Sequence, residues 1–268
     1  MPQRPTTLPT PAKNRAAPIP DSPRRRKSTT SSRDQLANPY PSVIIFDVDG
    51  VLVDTRGSFQ LTTLQTVKFF TKQRVTLREL HAWKNCPGFN DDWKLSTAWV
   101  KALGAEFTYE EIKKKFQEIY WGENSLGNVR QEKWLLRKST LARLCTRTEL
   151  AIFTGRTWPE LNYTLDRNGV RRNFKAIITV EEVANPKPAP DGLLKILNGR
   201  SPAEALYVGD NVDDALAAQS ANVPFLAILP KTGEERRQRA TRLLRLGALA
   251  ILNDISDMER WLHSARKL

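Results

Sequence analysis

The chain has 268 residues, 40% of them hydrophobic and 26% charged, with a net charge of +13, two cysteines and two histidines. These values exclude a fibrous or wholly disordered protein and leave room for one large domain or two small ones. No apolar run approaches the roughly 18 to 20 residues that span a bilayer, and the N-terminus lacks the apolar core of a secretory signal.

A cytoplasmic location with no membrane partner is therefore expected. Cys86 and Cys145 lack zinc-ligand spacing and are expected to be packed thiols, and His81 and His263 suit surface or packing roles. Residues 1–41 hold nine of the 17 prolines, few large apolar side chains, and eight basic residues against two acidic ones. Such a segment cannot offset its ordering entropy by burial, so a disordered basic tail is expected. The run Arg24-Arg25-Arg26-Lys27 suits a polyanion and is the one route to nucleic acid in this reading. A targeting segment, a passive extension and a start codon assigned too early all remain open.

From residue 42 the texture changes to short apolar runs that each close on small or polar residues. Strands are expected at Val43–Phe46, Leu150–Phe153, Ala176–Val180, Ala205–Val208, Phe225–Leu229 and Ala248–Leu252. Helical patterns fall between the later runs, at Pro159–Asn168, Asp191–Leu197, Val212–Ala221, Glu234–Leu246 and Ser256–Ser264. This alternation predicts an α/β fold with a doubly wound parallel sheet covered on both faces.

Nearly a hundred residues separate the first two strand runs, and their periodicity is helical, which predicts an inserted all-helical domain. Leu95, Trp99 and Leu103 form one stripe, and Ile112, Phe116, Ile119 and Tyr120 another. Thr76 with Glu79 and Thr108 with Glu111 have the spacing of capping boxes. Trp83, Trp93, Trp99, Trp121 and Trp134 are expected mainly in the insert's core. The segment Cys86–Trp93 is a polar, Gly-containing loop suited to face a site, although Asn90 or Asp91 could equally cap a helix.

Ligands of open parallel sheets bind outside the carboxyl ends of the strands. Here those ends carry Asp47-Val48-Asp49-Gly50, Thr154-Gly155-Arg156, Lys187 within Asn185-Pro186-Lys187-Pro188, and Gly209-Asp210 continuing to Asp213-Asp214. Hard carboxylate oxygens suit Mg²⁺, while a hydroxyl, an ammonium and free backbone N–H groups suit phosphate oxygens. Two carboxylates one residue apart could divide nucleophile and acid/base work. Val51, Leu52 and Val53 follow where a calcium loop would need further oxygen ligands.

From Val43 to the C-terminus the sequence resembles the haloacid dehalogenase superfamily, in its subfamily IA with a helical C1-type cap inserted after the first motif. Asp47 to Asp54 is similar to the first motif, Thr154 to the second, Lys187 in Lys-Pro-Ala-Pro-Asp to the third, and Gly209 to Asp214 to the fourth. The resemblance implies a Rossmann-type core over residues 42–54 and 148–268 and a cap over 55–147. It implies that Asp47 attacks phosphorus while Asp49 serves as acid/base, that Thr154, Gly155 and Lys187 bind the phosphoryl group, and that Asp47, Asp49, Asp210 and Asp214 surround Mg²⁺.

A phosphatase acting on a small-molecule phosphate ester, as a monomer or homodimer, is the expectation that follows. A phosphomutase is the alternative within the family, while Asp49 argues against dehalogenation, which does not use the second aspartate. Pro186 stands where relatives often have glycine, which removes a backbone donor and stiffens the approach of Lys187. Arg156 could touch substrate phosphate or pair with surface acids. The reading of a different class is a basic nucleic-acid-binding protein on an idle scaffold, with Arg236, Arg237, Arg239, Arg242 and Arg245 on a helix whose cationic face is solvated.

Overall fold

A computed structural model describes residues 40–89, 91–230 and 234–265. The expected tail, apart from Tyr40 and Pro41, lies outside the described residues, as does Asn90. In chain order the strands are β1 (Val43–Phe46), β2 (Val53–Asp54), β3 (Lys133–Trp134), β4 (Glu149–Phe153), β5 (Ala176–Ile178), β6 (Ala205–Gly209), β7 (Phe225–Ile228) and β8 (Ala248–Leu252). The helices are α1 (Leu61–Thr71), α2 (Leu77–Lys84), α3 (Asp92–Ala102), α4 (Tyr109–Trp121), α5 (Lys138–Cys145), α6 (Trp158–Asn168), α7 (Asp191–Leu197), α8 (Val212–Ala221), α9 (Glu234–Arg245) and α10 (Met258–Ala265).

Six strands form one parallel sheet in the order β5-β4-β1-β6-β7-β8, as the run-and-helix alternation predicts. β1 is wholly buried because side chains alternate across the sheet and both faces are covered. Ile44 and Phe46 join one cluster with Leu150, Ile152 and Leu165, whereas Val43 and Ile45 join another with Phe153, Leu193 and Ala218. All six strands point the same way, so the loops after β1, β4 and β6 emerge on one edge. That edge carries the polar tips.

The helical insert leaves the sheet at β2 and returns at β3, and these pair antiparallel through Val53 and Trp134. Such two-residue strands carry no periodic signal, and the sequence reading passed over them. Within the insert, Val67, Leu80, Leu95, Trp99, Val100 and Ile112 form one small core, and Phe59, Phe116, Tyr120 and Val129 another. Both expected capping boxes are made: Thr76 N–H donates to Glu79 at 2.7 Å, and Thr108 N–H to Glu111 at 2.8 Å.

Three expectations need correction. Tyr40, assigned to the tail by composition, is buried against the sheet and stacks edge-on with His263, 5.6 Å between centroids. Leu136, Leu141 and Leu144 pack in a cluster on the sheet, so by contact α5 belongs with the sheet although the insert was expected to run to residue 147. Trp134 packs there too, while Trp83, Trp93, Trp99 and Trp121 join the insert's cores as expected. Cys86 and Cys145 are free and exposed rather than packed. Among the described residues, no helix is long and apolar enough to cross a membrane.

Candidate active site

The loop after β1 is tied back by Val48, whose carbonyl accepts the N–H groups of Leu52 and Val53, both at 2.9 Å. Gly50 sits in this loop at φ +76°, and a Cβ there would lie 2.2 Å from Asp210 Oδ2. Only glycine lets the first and fourth tips approach this closely. Asp47 follows β1 directly, is 2% exposed, and donates its N–H to Val208 O at 2.8 Å.

Asp214 is fixed by the start of α8. Asn211 caps the helix by accepting from Asp213 and Asp214 N–H, and Asp214 Oδ2 accepts in return from the N–H groups of Asp210 (3.1 Å) and Asn211 (3.2 Å). Its other oxygen accepts Tyr207 OH at 2.6 Å and Lys187 Nζ at 2.8 Å. Lys187 therefore reaches the site despite Pro186, and its ammonium bridges Asp214 and Asp47 Oδ1, each at 2.8 Å. The ring faces of Phe153 and Tyr207 lie 4.9 and 5.5 Å from Nζ.

One oxygen each of Asp47, Asp210 and Asp214 lies within 4.8 Å of the others. Burial pushes the Asp47 carboxyl upward against the pull of Lys187, with Asp214, Asp49 and Asp210 reinforcing the burial. Burial likewise pushes Asp210 up to about 6, opposed by Arg239. Asp47 and Asp214 share one ammonium while Asp210 faces Arg239 at 3.6 Å, and hard oxygens at this spacing fit a divalent cation.

The carboxylate of Asp49 lies outside that cluster. Its Oδ1 accepts from Arg156 Nε at 2.9 Å and Nη2 at 2.6 Å. Arg156, 1% exposed, spends its other N–H groups on Glu132 (3.1 and 2.9 Å) and Thr164 Oγ1 (2.7 Å). Neither role expected for Arg156 fits. Glu132 and Thr164 are interior and Asp49 is partly in solvent, and with all five donors taken a phosphate contact would have to displace one of them.

Thr154, buried at the end of β4, accepts the Arg156 N–H at 3.2 Å, and Gly155 is exposed at the turn beside it. Thr154 and Gly155 thus share the edge with Asp47, since Phe46 and Ile152 are paired neighbours.

Sequence reasoning missed three contributors. Glu132 and Lys84 come from the insert, and Tyr207 lies inside an apolar strand run. Lys84 pairs with Asp92 at 2.9 Å, near enough to Asp49 and Asp210 to feel their charge. The insert loop also touches the core, as Gly88 N–H donates to Asp213 at 3.0 Å. Asp91 caps α3, accepting from Trp93 N–H at 2.9 Å.

A parallel sheet of this order, with acids after its first and fourth core strands, a hydroxyl after the second and a lysine bridging two of the acids, defines a phosphoryl-transfer type of α/β enzyme site. The family model of haloacid dehalogenase-like hydrolases matches residues 44–228, and the chain belongs to that family. An imidazoleglycerol-phosphate dehydratase of Phytophthora nicotianae is 28% identical over 207 residues, 74% of this chain and 45% of that protein. The chain thus spans less than half the length of that relative. Phosphoglycolate phosphatase 1 of Pseudomonas aeruginosa is 25% identical over 208 residues, 72% of this chain and 71% of that one. CbbY from Rhodobacter sphaeroides, solved in complex with phosphate, superposes with a TM-score of 0.62 at 19% identity, covering 81% of this chain and 96% of that one.

Proposed function

We propose that the chain is a Mg²⁺-dependent phosphatase that hydrolyses a small phosphate monoester through an aspartyl phosphate on Asp47. The observation that carries this reading is the Lys187 bridge between buried Asp47 and Asp214, with Asp210 beside them on the sheet edge. The phosphoglycolate phosphatase among the relatives supports the class of reaction.

Asp47 and Asp210 would hold the ion. Asp214, with four donors already on its two oxygens, supports the site by its charge and by fixing Lys187. When bound, Mg²⁺ supplies positive charge that relieves repulsion between the carboxylates and the phosphate.

The rest is done by the chain. A carboxylate oxygen of Asp47 bonds to phosphorus as the ester P–O bond breaks, and the electron pair leaves on the ester oxygen. Arg156 anchors Asp49 by Oδ1 alone, which leaves Oδ2 to deliver the proton to that oxygen. Asp49 then takes a proton from water as the water oxygen attacks the aspartyl phosphate, and Asp47 departs with free phosphate as the other product. Thr154 Oγ1, the Gly155 N–H and Lys187 would hold the phosphoryl oxygens.

Part of the cationic face of α9 is engaged within the protein. Arg236, Arg239 and Arg242 recur on one side of α9 and turn inward, to Asn253 Oδ1 (2.6 Å), Asp210 O (2.9 Å) and Asn85 O. Arg237, Arg242 and Arg245 nevertheless stay exposed, so the cationic face is only partly spent on internal contacts.

Acid-quenched single turnovers of nitrophenyl phosphate test the reading. A Mg²⁺-dependent mass gain of one phosphoryl group on the peptide that contains Asp47, chased into inorganic phosphate, is expected. Turnover by Asp47→Asn, or full activity in a chelator, would overturn it. Release of inorganic phosphate rather than transfer to a sugar hydroxyl separates it from a phosphomutase.

A further inference from the structure

A cleft of about 960 Å³ opens at Gly50 and Asp210 and runs between α2 of the insert and α9 of the core. That is near the upper end of small-molecule sites, far more than one phosphoryl group fills. Its carboxylates are engaged: Asp54 pairs with Arg56 at 2.6 Å, Asp210 faces Arg239 at 3.6 Å, and Asp254 accepts the Ser256 N–H at 2.7 Å.

Two of its guanidinium groups are not matched by acids. Arg78, on α2, makes no ion pair or hydrogen bond among the described residues. Arg236, on α9, meets the neutral Asn253 at 2.6 Å, and its buried Nε has no partner among the described residues. A buried charged donor left unmade is costly, and a guanidinium fork fits a phosphate or carboxylate in two-point contact. The apolar side chains of Leu77, Leu135 and Ile255 also line the cleft, which suits a carbon skeleton.

We propose that Arg78 and Arg236 hold a second anionic group of the substrate, a phosphate or carboxylate at the far end of the molecule whose scissile phosphate meets Asp47. This rests on the phosphatase reading above and names the substrate class: an organic phosphate with anionic groups at both ends. Because one arginine comes from the insert and the other from the core, such a substrate bridges the two, and a simple monoester does not.

The test compares alkanediol bisphosphates of increasing spacer length with the matching alkyl monophosphates, by kinetics and by calorimetric Kd, with nitrophenyl phosphate as reference. The expected result is a preference of about tenfold or more in kcat/KM and in Kd for at least one bisphosphate, roughly the worth of one charge-assisted hydrogen bond. Arg78→Gln and Arg236→Gln should each shrink the bisphosphate-to-monophosphate ratio. Arg78→Gln is decisive, since that exposed side chain makes no hydrogen bond or ion pair among the described residues.

Equal handling of every matched pair would overturn the proposal. So would stimulation of monophosphate turnover by added sulfate, which would make the cleft a site for a separate anion. Should nitrophenyl phosphate resist hydrolysis under all conditions, the phosphatase reading fails on its own, and the Kd ratios still decide whether the cleft selects a second anion.

Discussion

Arg156 links Asp49 to Glu132, and the exposures of the three side chains, 1%, 35% and 4%, let its structural and chemical roles be separated. In Arg156→Met, Glu132 keeps Tyr120 OH at 2.9 Å and Thr164 Oγ1 at 2.7 Å but loses the one cation that pairs with its buried charge among the described residues. Breaking a buried pair from one side costs about 3 to 5 kcal/mol. For a folded unit of this size, Tm should fall by roughly 6 to 20 °C. The double variant Arg156→Met/Glu132→Gln removes the stranded charge, and its amide can still accept from Tyr120 and donate to Thr164. It should recover most of the lost stability, because neutral replacement of a buried pair is often nearly free. Asp49, already partly in solvent, imposes no comparable penalty. Turnover should not return, since both variants lack the anchor on Asp49 Oδ1; the deficit on alkyl phosphates should approach the ~10² to 10⁴ of acid/base catalysis. Calorimetric unfolding and steady-state rates on the same preparations read the two effects apart. Recovery of rate together with stability would show Arg156 to be a packing residue only, and failure of stability to recover would refute the buried-charge argument.

Gly50→Ala should raise the Mg²⁺ concentration needed for half-maximal rate by about tenfold or more, because a Cβ 2.2 Å from Asp210 Oδ2 must displace that carboxylate. Its positive φ adds strain of roughly 1 to 3 kcal/mol, visible as a lower Tm. Tyr207→Phe removes the 2.6 Å bond to Asp214 and should cost about 1.5 to 3 kcal/mol in urea unfolding; a cost near zero would mean that Asp214 is held without it. Asp49→Asn should slow alkyl phosphates, whose alkoxides leave badly, far more than nitrophenyl phosphate, and it should release nitrophenolate in a burst before stalling as phosphoenzyme. Equal slowing without a burst would remove Asp49 from acid/base duty.

The sheet and the acids on its edge were legible because both are local. Each buried strand is an unbroken apolar run that stops at a polar tip, and the bounds of β1, β8, α7 and α8 follow the sequence pattern to the residue. What stayed hidden depends on pairs distant in sequence. Arg156 meets Asp49 across 107 positions and Glu132 across 24, and nothing beside any of the three residues signals the meeting. The i, i+3, i+6 spacing of Arg236, Arg239 and Arg242 could be seen, but the direction of that stripe is set by partners such as Asn85, 157 positions away. A surface helix with a cationic face and one whose arginines line a cleft have the same sequence periodicity.

The two aspartates of the first tip are separated by one residue yet are committed to different cations. Asp47 is drawn to Lys187, which also holds Asp214, and is shut away from water; Asp49 is drawn to Arg156, which also holds Glu132, and stays partly in solvent. The two charges still act on each other, since Asp49 is among the carboxylates that push Asp47 upward. Separate anchors nonetheless let each environment set one task on the proposed reading. A dehydrated carboxylate fixed at one oxygen is poised to attack phosphorus, and a carboxylate with one oxygen toward water can exchange protons with a leaving group and then with the incoming water. Glu132 comes from the insert's return segment, so the proton carrier's anchor depends on where the insert sits, while the nucleophile's anchor belongs to the sheet alone.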